Sequence, residues 1–209
     1  MKLEGLKANF LGDSITEGCG VEDIKDVYWN VLKRECGLKE ARGYGIGGTR
    51  IAIQSLPQDP IQDQDFISRV EKMDEDADLI VVFGGTNDFG HGDSQLGQIG
   101  DRSPYTFYGA LHFIMRKLML RYPNAQIVFC TPLHRLEEDR CGRRLKDFVV
   151  AIREVAECYG IPVCDLYATC NIQPQFRDNK ERFAPDGLHP NEAGHLKIYN
   201  RLRGFLESL

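Results

Sequence analysis

The chain has 209 residues, 42% hydrophobic and 27% charged, the balance of an ordinary globular protein, which sets aside disordered, collagen-like and disulfide-scaffold classes. A length of this order points to one domain spanning residues 1–209. With 26 basic against 31 acidic residues, a net charge of -5 and no basic stripe to neutralise phosphates, nucleic acid is not an expected partner.

The chain opens on Met1 to Lys7, which lacks the continuous apolar stretch of a secretory signal. No later segment reaches the roughly 20 apolar residues of a transmembrane helix, so a soluble, cytoplasmic protein is expected. The first buried strand is Ala8 to Leu11, followed by Gly12-Asp13-Ser14-Ile15-Thr16-Glu17-Gly18. A weaker strand, Ala41 to Ile46, runs into Gly45-Ile46-Gly47-Gly48-Thr49, and a third, Leu79 to Phe83, into Gly84-Gly85-Thr86-Asn87-Asp88. The polar, glycine-rich stretch from Gly90 to Asp101 is long for a connection and suits a lid or a substrate-contacting loop.

Tyr108, Leu111, Met115, Leu118 and Tyr122 repeat at helical spacing; Ser103-Pro104 is expected to open this helix and Pro123 to stop it. A fourth strand covers Ile127 to Cys130. Leu145, Phe148, Val149, Ile152, Val155, Ala156 and Tyr159 form one apolar stripe of a second long helix, and Ile161 to Leu166 is the fifth strand. The last block, Asp186-Gly187-Leu188-His189-Pro190, precedes a final helix beginning at Asn191. Strands alternating with amphipathic helices predict an α/β fold: a central parallel five-stranded sheet between two helical layers, since parallel pairing requires crossovers. Ligands of such sheets bind beyond the carboxyl ends of the strands. The first three blocks each follow a strand, so they converge on one rim, and the fourth can fold back over it.

Each block has a bland reading when taken alone: a helix cap for Gly-Asp-Ser, a hydrogen-bonded turn for Asp-x-x-His, a flexible loop for the glycines, an Asx-turn for Asn87-Asp88. Together they match the needs of acyl transfer. A serine hydroxyl requires a positioned base; Asp186, three residues before His189, can hold its Nδ1 so that Nε2 faces Ser14. A tetrahedral oxyanion requires donors already in place, and Gly47 and Asn87 offer a backbone N–H and a side-chain amide. His112 and His195 fall in helices and read as structural or solvated; His91 and His134, in loops after strands, are left unassigned within possible reach of substrate.

In this order the four blocks resemble the SGNH hydrolases, also called GDSL esterases and lipases, over residues 7 to 195. That resemblance implies a flavodoxin-like three-layer α/β/α sandwich, with Ser14 as nucleophile, His189 as base, Asp186 orienting it, and Ser14 (backbone N–H), Gly47 and Asn87 forming the oxyanion hole. It implies a small-molecule ester substrate and no metal or organic cofactor. Gly43 departs from the asparagine that many members carry shortly before the second-block glycine, a change bearing on loop stiffness rather than chemistry.

Three other readings compete. Gly43-Tyr44-Gly45-Ile46-Gly47-Gly48 formally satisfies the dinucleotide fingerprint, but the charged Lys39 to Arg42 precedes it and Pro57 soon follows. A non-catalytic binding module on the same fold would not need every catalytic position intact. Cys19 as nucleophile competes with a packed thiol in the helix that follows Ser14. The seven cysteines are scattered and odd in number, which suits reduced thiols, and the six-residue spacing of Cys158, Cys164 and Cys170 does not fit a zinc site. The absence of a broad apolar segment favours short acyl groups, with O-acetyl groups on carbohydrate among the candidates; the oligomeric state is not legible.

Overall fold

A computed structural model describes residues 1–57 and 59–209. The strands are β1 (Lys7–Gly12), β2 (Glu40–Gly45), β3 (Leu79–Phe83), β4 (Gln126–Cys130), a separate two-stranded antiparallel hairpin of β5 (Asp139–Arg140) and β6 (Arg143–Arg144), and β7 (Val163–Cys164). The main sheet has five strands in the order β2-β1-β3-β4-β7. All its neighbours are parallel.

Successive strand residues point to opposite faces, and the sequence fills both. Leu11, Ile80, Val82, Ile127 and Phe129 face one apolar core, against α5 (Phe107–Arg121) and α6 (Leu145–Tyr159). Ala8, Phe10, Val81, Phe83, Val128 and Cys130 face the other, against α2 (Tyr28–Cys36) and α9 (Glu192–Glu207). This is the three-layer α/β/α arrangement the sequence predicts, and the continuous apolar runs of β3 and β4 reflect burial on both sides. β2 is weaker because it is the sheet's edge: none of its six residues is fully buried.

Two boundaries differ from expectation. The helix assigned to Ser103-Pro104 begins at Phe107, capped by the Thr106 hydroxyl, which accepts from the Gly109 N–H at 3.2 Å. The Pro104 carbonyl instead accepts from the Ile53 N–H at 3.0 Å, which holds the chain off the helical path for two more residues. The fifth strand shrinks to Val163–Cys164, because Asp165 caps a short helix, α7 (Leu166–Thr169), immediately after it.

The stretch from Gly90 to Asp101 is anchored rather than free. Its Gln95 and Leu96 carbonyls accept from the first turn of α5 at 2.9 and 3.0 Å, and His112 bonds the Ile99 carbonyl at 2.9 Å. Arg143 donates to the Gly92 carbonyl at 2.6 Å. Among the described residues no helix is long and apolar enough to cross a membrane. The described cysteines are free: Cys130, Cys164 and Cys170 are buried, Cys36 is half-buried, and Cys19, Cys141 and Cys158 are exposed.

Gly43 lies inside β2, opposite Phe10, so its departure from the family pattern is a matter of strand packing and not of loop stiffness. A β-carbon there would lie 2.5 Å from the Trp29 ring. The indole cannot give way, since its Nε1–H donates to the Thr16 carbonyl at 2.9 Å and its face stacks on Phe10. Gly43→Ala should therefore lower the denaturant midpoint by an amount equivalent to about 1–3 kcal/mol, the range for overpacking. A midpoint equal to that of the parent protein would show that the ring can move.

Candidate active site

β1 has β2 on one side and β3 on the other, so chain order reverses at its carboxyl end, the place where open α/β sheets open a crevice. Ser14 stands there. Gly12 ends β1, Asp13 caps the short helix α1 (Ser14–Glu17) by accepting the Ile15 N–H at 3.1 Å, and Gly18, at φ 108°, closes it after one turn. The Ser14 side chain is thereby held at the rim, with the residue 6% exposed.

The fourth block folds over the same rim. Asp186 Oδ1 accepts the Leu188 and His189 N–H groups at 2.8 and 2.7 Å, which curls the loop around its own carboxylate. His189 Nδ1–H donates to Asp186 Oδ2 at 2.7 Å, leaving Nε2 to accept the Ser14 Oγ–H at 3.0 Å. Other segments support this loop. The Leu136 N–H donates to the Gly187 carbonyl at 2.8 Å, and Gly20 lies so close to Pro190 that no side chain would fit there. Hydroxyl, imidazole and carboxylate thus stand in series, an arrangement in which the imidazole can take a proton from the hydroxyl as it attacks.

Candidate donors lie on the segments beside Ser14. A β-carbon on Gly47 would lie 3.7 Å from Ser14 Cβ, so the bare backbone of this turn flanks the serine. Among the described residues no acceptor takes the N–H of Ser14 or of Gly47. Asn87 lies in α4 (Thr86–Gly90), which begins directly after β3 because Gly85, at φ 102°, makes the turn. One amide hydrogen of Asn87 Nδ2 goes to the Thr49 carbonyl at 3.0 Å, leaving the other available. Its neighbour Asp88 accepts the Ile51 and Ala52 N–H groups at 3.0 and 2.9 Å and so locks the second block to α4.

Of the five residues singled out from sequence, Ser14, His189 and Asp186 are joined in series, Gly47 lies beside Ser14, and Asn87 is tied by Thr49 to the turn that carries Gly47. The histidines left unassigned do not join them: His91 bonds Arg50, and His134 lies on Tyr167 with its Nδ1 2.6 Å from Glu138. His112 bridges Tyr159 and Ile99, while His195 is buried under Tyr28, whose N–H it accepts at 3.3 Å. Cys19 lies outside α1 at the surface, and the partial burial of its sulfur together with the adjacent Glu17 carboxylate raises its pKa, the wrong direction for a nucleophile. The glycines of the supposed dinucleotide fingerprint belong to the edge strand β2 and the turn beyond it; the next described helix is α3 (Phe66–Arg69), far too late to present its N-terminus to a pyrophosphate. Two participants carry no periodic or spacing signal in the sequence, Leu136 and the buried Arg69, while Asp88 sits in the third block without its bonds to Ile51 and Ala52 being foreseeable there.

Burial pushes the Asp13 carboxyl from its ordinary 3.8 up to about 6, against the opposing pull of the Ile15 N–H and Arg69. Asp88 is raised to about 6 for the same reason. Asp186 goes the other way: its partial burial raises it, but the bonds from Leu188 and His189 outweigh this and hold it below its ordinary value. A carboxyl whose folded pKa is raised contributes stability that is fully present below the unfolded pKa and lost as pH rises through the folded one. For Asp13 that window runs from 3.8 to about 6. Asp13→Asn keeps a capping oxygen for Ile15 without the charge. It should match the parent protein's thermal stability near the bottom of that window and exceed it well above the window, by about 3 kcal/mol at most. Equal stability at both ends would place the Asp13 pKa near its ordinary value.

A hydroxyl, an imidazole and a carboxylate in line beside free amide donors, at the switch point of a five-stranded parallel sheet, define a hydrolase-type site. The chain belongs to the GDSL-like lipase/acylhydrolase family, whose model matches residues 10–197. A solved structure of a protein from Lactobacillus plantarum is 31% identical, with a TM-score of 0.87 and 98% of each chain covered. Another solved structure, also 31% identical, has a TM-score of 0.89 and covers 100% of this chain and 99% of its own. The acetyl xylan esterase AlAXEase is similar in fold, at 21% identity and a TM-score of 0.65 over 95% of this chain and 98% of its own. No curated protein matches.

Proposed function

We propose that the protein hydrolyses carboxylic esters of short acyl groups through an acyl-serine intermediate. The observation that carries this reading is the 3.0 Å contact between Ser14 Oγ and His189 Nε2, continued at 2.7 Å from Nδ1 to Asp186. Ser14 Oγ bonds to the ester carbonyl carbon as His189 takes its proton. The resulting oxyanion is received by the N–H groups of Ser14 and Gly47 and the Asn87 amide. Collapse breaks the bond to the alcohol oxygen, which leaves with the proton from His189. A water, deprotonated by His189, then repeats the attack and releases the acid and Ser14. Asp186 stays ionised and stabilises the imidazolium in both halves.

An alcohol rich in hydroxyls, such as an O-acetylated sugar, is the substrate class we favour. Support comes from a cleft of about 260 Å³ beside the second block, lined by polar groups that include Arg50, Gln54, Gln62 and His91. Gln62 packs directly on Gly48, next to the proposed donor Gly47. A surface of mixed donors and acceptors matches hydroxyl groups better than an alkyl chain. The likeness in fold to an acetyl xylan esterase points the same way.

The test is a panel of p-nitrophenyl acetate, butyrate and octanoate together with acetylated xylose. kcat/KM should fall with acyl length, and Ser14→Ala should abolish turnover by several orders of magnitude, as loss of a nucleophile does in a serine protease. Activity surviving intact in Ser14→Ala would end the mechanism, and no turnover of any ester by the parent protein would favour a binding module. Asn87→Ala should lower kcat roughly 10²- to 10³-fold; an unchanged kcat would take its amide out of the oxyanion hole.

A further inference from the structure

Arg69 has no place in the mechanism above, yet it is 3% exposed and lies directly beneath the site. Both of its terminal nitrogens are directed at segments that carry the mechanism. Its NH2 group donates to the Gly12 carbonyl at 3.0 Å and to Thr49 Oγ1 at 2.8 Å; NH1 donates to the Tyr44 carbonyl at 2.6 Å; Nε–H donates to the Gln64 carbonyl at 2.9 Å. The guanidinium also lies 4.7 Å from the centre of the Phe66 ring. Among the described residues no carboxylate forms an ion pair with it; the nearest negative charges, Asp13, Asp65 and Glu17, act at longer range.

We propose that Arg69 is the positioning residue of the oxyanion hole, a role that rests on the ester-hydrolase reading. Its three targets are the roots of the three donors. The Gly12 carbonyl precedes the Asp13-Ser14 turn that presents the Ser14 N–H. The Tyr44 carbonyl precedes the turn carrying the Gly47 N–H. Thr49, gripped through its hydroxyl, is the residue whose carbonyl holds Asn87 Nδ2. One planar fork therefore ties the end of β1 to β2 and the turn after it, and reaches the helix after β3 through Thr49 and Asn87, a task for which a lysine's single ammonium lacks the geometry. Burial lowers the Arg69 pKa only to about 10, so the fork stays charged at neutral pH, close to where the oxyanion forms.

A buried cation without a counterion is a poor means of stabilising a fold compared with apolar residues of the same volume. A contribution to overall stability alone thus leaves its placement unexplained. A displacement of the donors by a fraction of an ångström to an ångström, by contrast, lowers turnover by up to roughly 100-fold. Such a change acts on the transition state more than on substrate binding.

The experiment compares Arg69→Lys, Arg69→Met, Arg69→Gln and Thr49→Val with the parent protein and Ser14→Ala, using p-nitrophenyl acetate and a short-chain trifluoromethyl ketone. The hemiketal oxygen of that ketone on Ser14 occupies the oxyanion's place. The expected result is a 10- to 100-fold fall in kcat with KM changed less than about threefold, and a matching loss of ketone affinity. Thr49→Ser, which restores the hydroxyl, should recover most of what Thr49→Val loses. Thr49→Val removes both the Arg69 contact and the bond of the Thr49 hydroxyl to the Ile46 carbonyl at 2.7 Å, so Arg69→Gln, which keeps a planar pair of donors without the charge, carries the test if both other Arg69 variants fail to fold. Folded variants with lowered melting temperature but unchanged kcat and ketone affinity would overturn the proposal for Arg69. Parent activity that survives Ser14→Ala would instead overturn the ester-hydrolase reading beneath it.

Discussion

Parallel pairing delivers the carboxyl ends of all strands to one edge, and the reversal of chain order at β1 splits that edge open between β2 and β3. Everything placed at the rim depends on this constraint. The turn after β1 carries Ser14, the turn after β2 carries Gly47, and the helix after β3 carries Asn87. None can shift without shifting a strand that is hydrogen-bonded on at least one side. Only the loop bearing Asp186 and His189 is not a strand end. It is brought over the rim by α9, whose apolar residues Ile198, Tyr199 and Leu202 are fully or nearly buried against the sheet.

Joining these strand ends required polar groups in the interior. Asp13, Arg69, Asn87 and Asp88 are each no more than 6% exposed. An unpartnered polar group at such depth is costly, and each of these is bonded mainly to backbone: Asp13 to Ile15, Asp88 to Ile51 and Ala52, Asn87 to Thr49, Arg69 to four acceptors on three segments. Two acids and one base buried close together leave the two carboxyls raised and the guanidinium lowered. The site is thus held by groups whose charged forms are each destabilised by burial, and their value lies in fixing turns that apolar packing cannot specify.

Much of this was legible in the chain. The sheet could be read because β3 and β4 are apolar at every position bar Gln126, the mark of strands buried on both faces, and because α6 keeps one apolar stripe through four turns. The five site residues could be read because acyl transfer restricts residue type as well as spacing. What stayed hidden depends on contacts between distant segments. Nothing in Phe66-Ile67-Ser68-Arg69 tells an inward arginine from an outward one. Pro104 is a good opener of helices, and only the long-range bond from Ile53 removes it from that role. Gly43 looks like loop glycine until Trp29 is seen to fill the space above it.

The two halves of the site are held by different physics. On the serine side, burial excludes water, so each hydrogen bond is strong and each displaced donor is felt. On the histidine side the Asp186 side chain is 54% exposed and that of His189 26%. The Coulomb attraction between carboxylate and imidazole is therefore screened. Asp186 is suited to orienting His189 less by its charge than by shape: the Leu188 and His189 N–H groups fix the carboxylate, and the carboxylate fixes the Nδ1 proton. A loop so closed on itself is anchored from outside by the Leu136–Gly187 hydrogen bond, the contact of Gly20 with Pro190, and the bonds of Asn191 to the Arg182 and Phe183 carbonyls. The imidazole thus stays partly exposed at the rim while Ser14 beneath it is nearly buried.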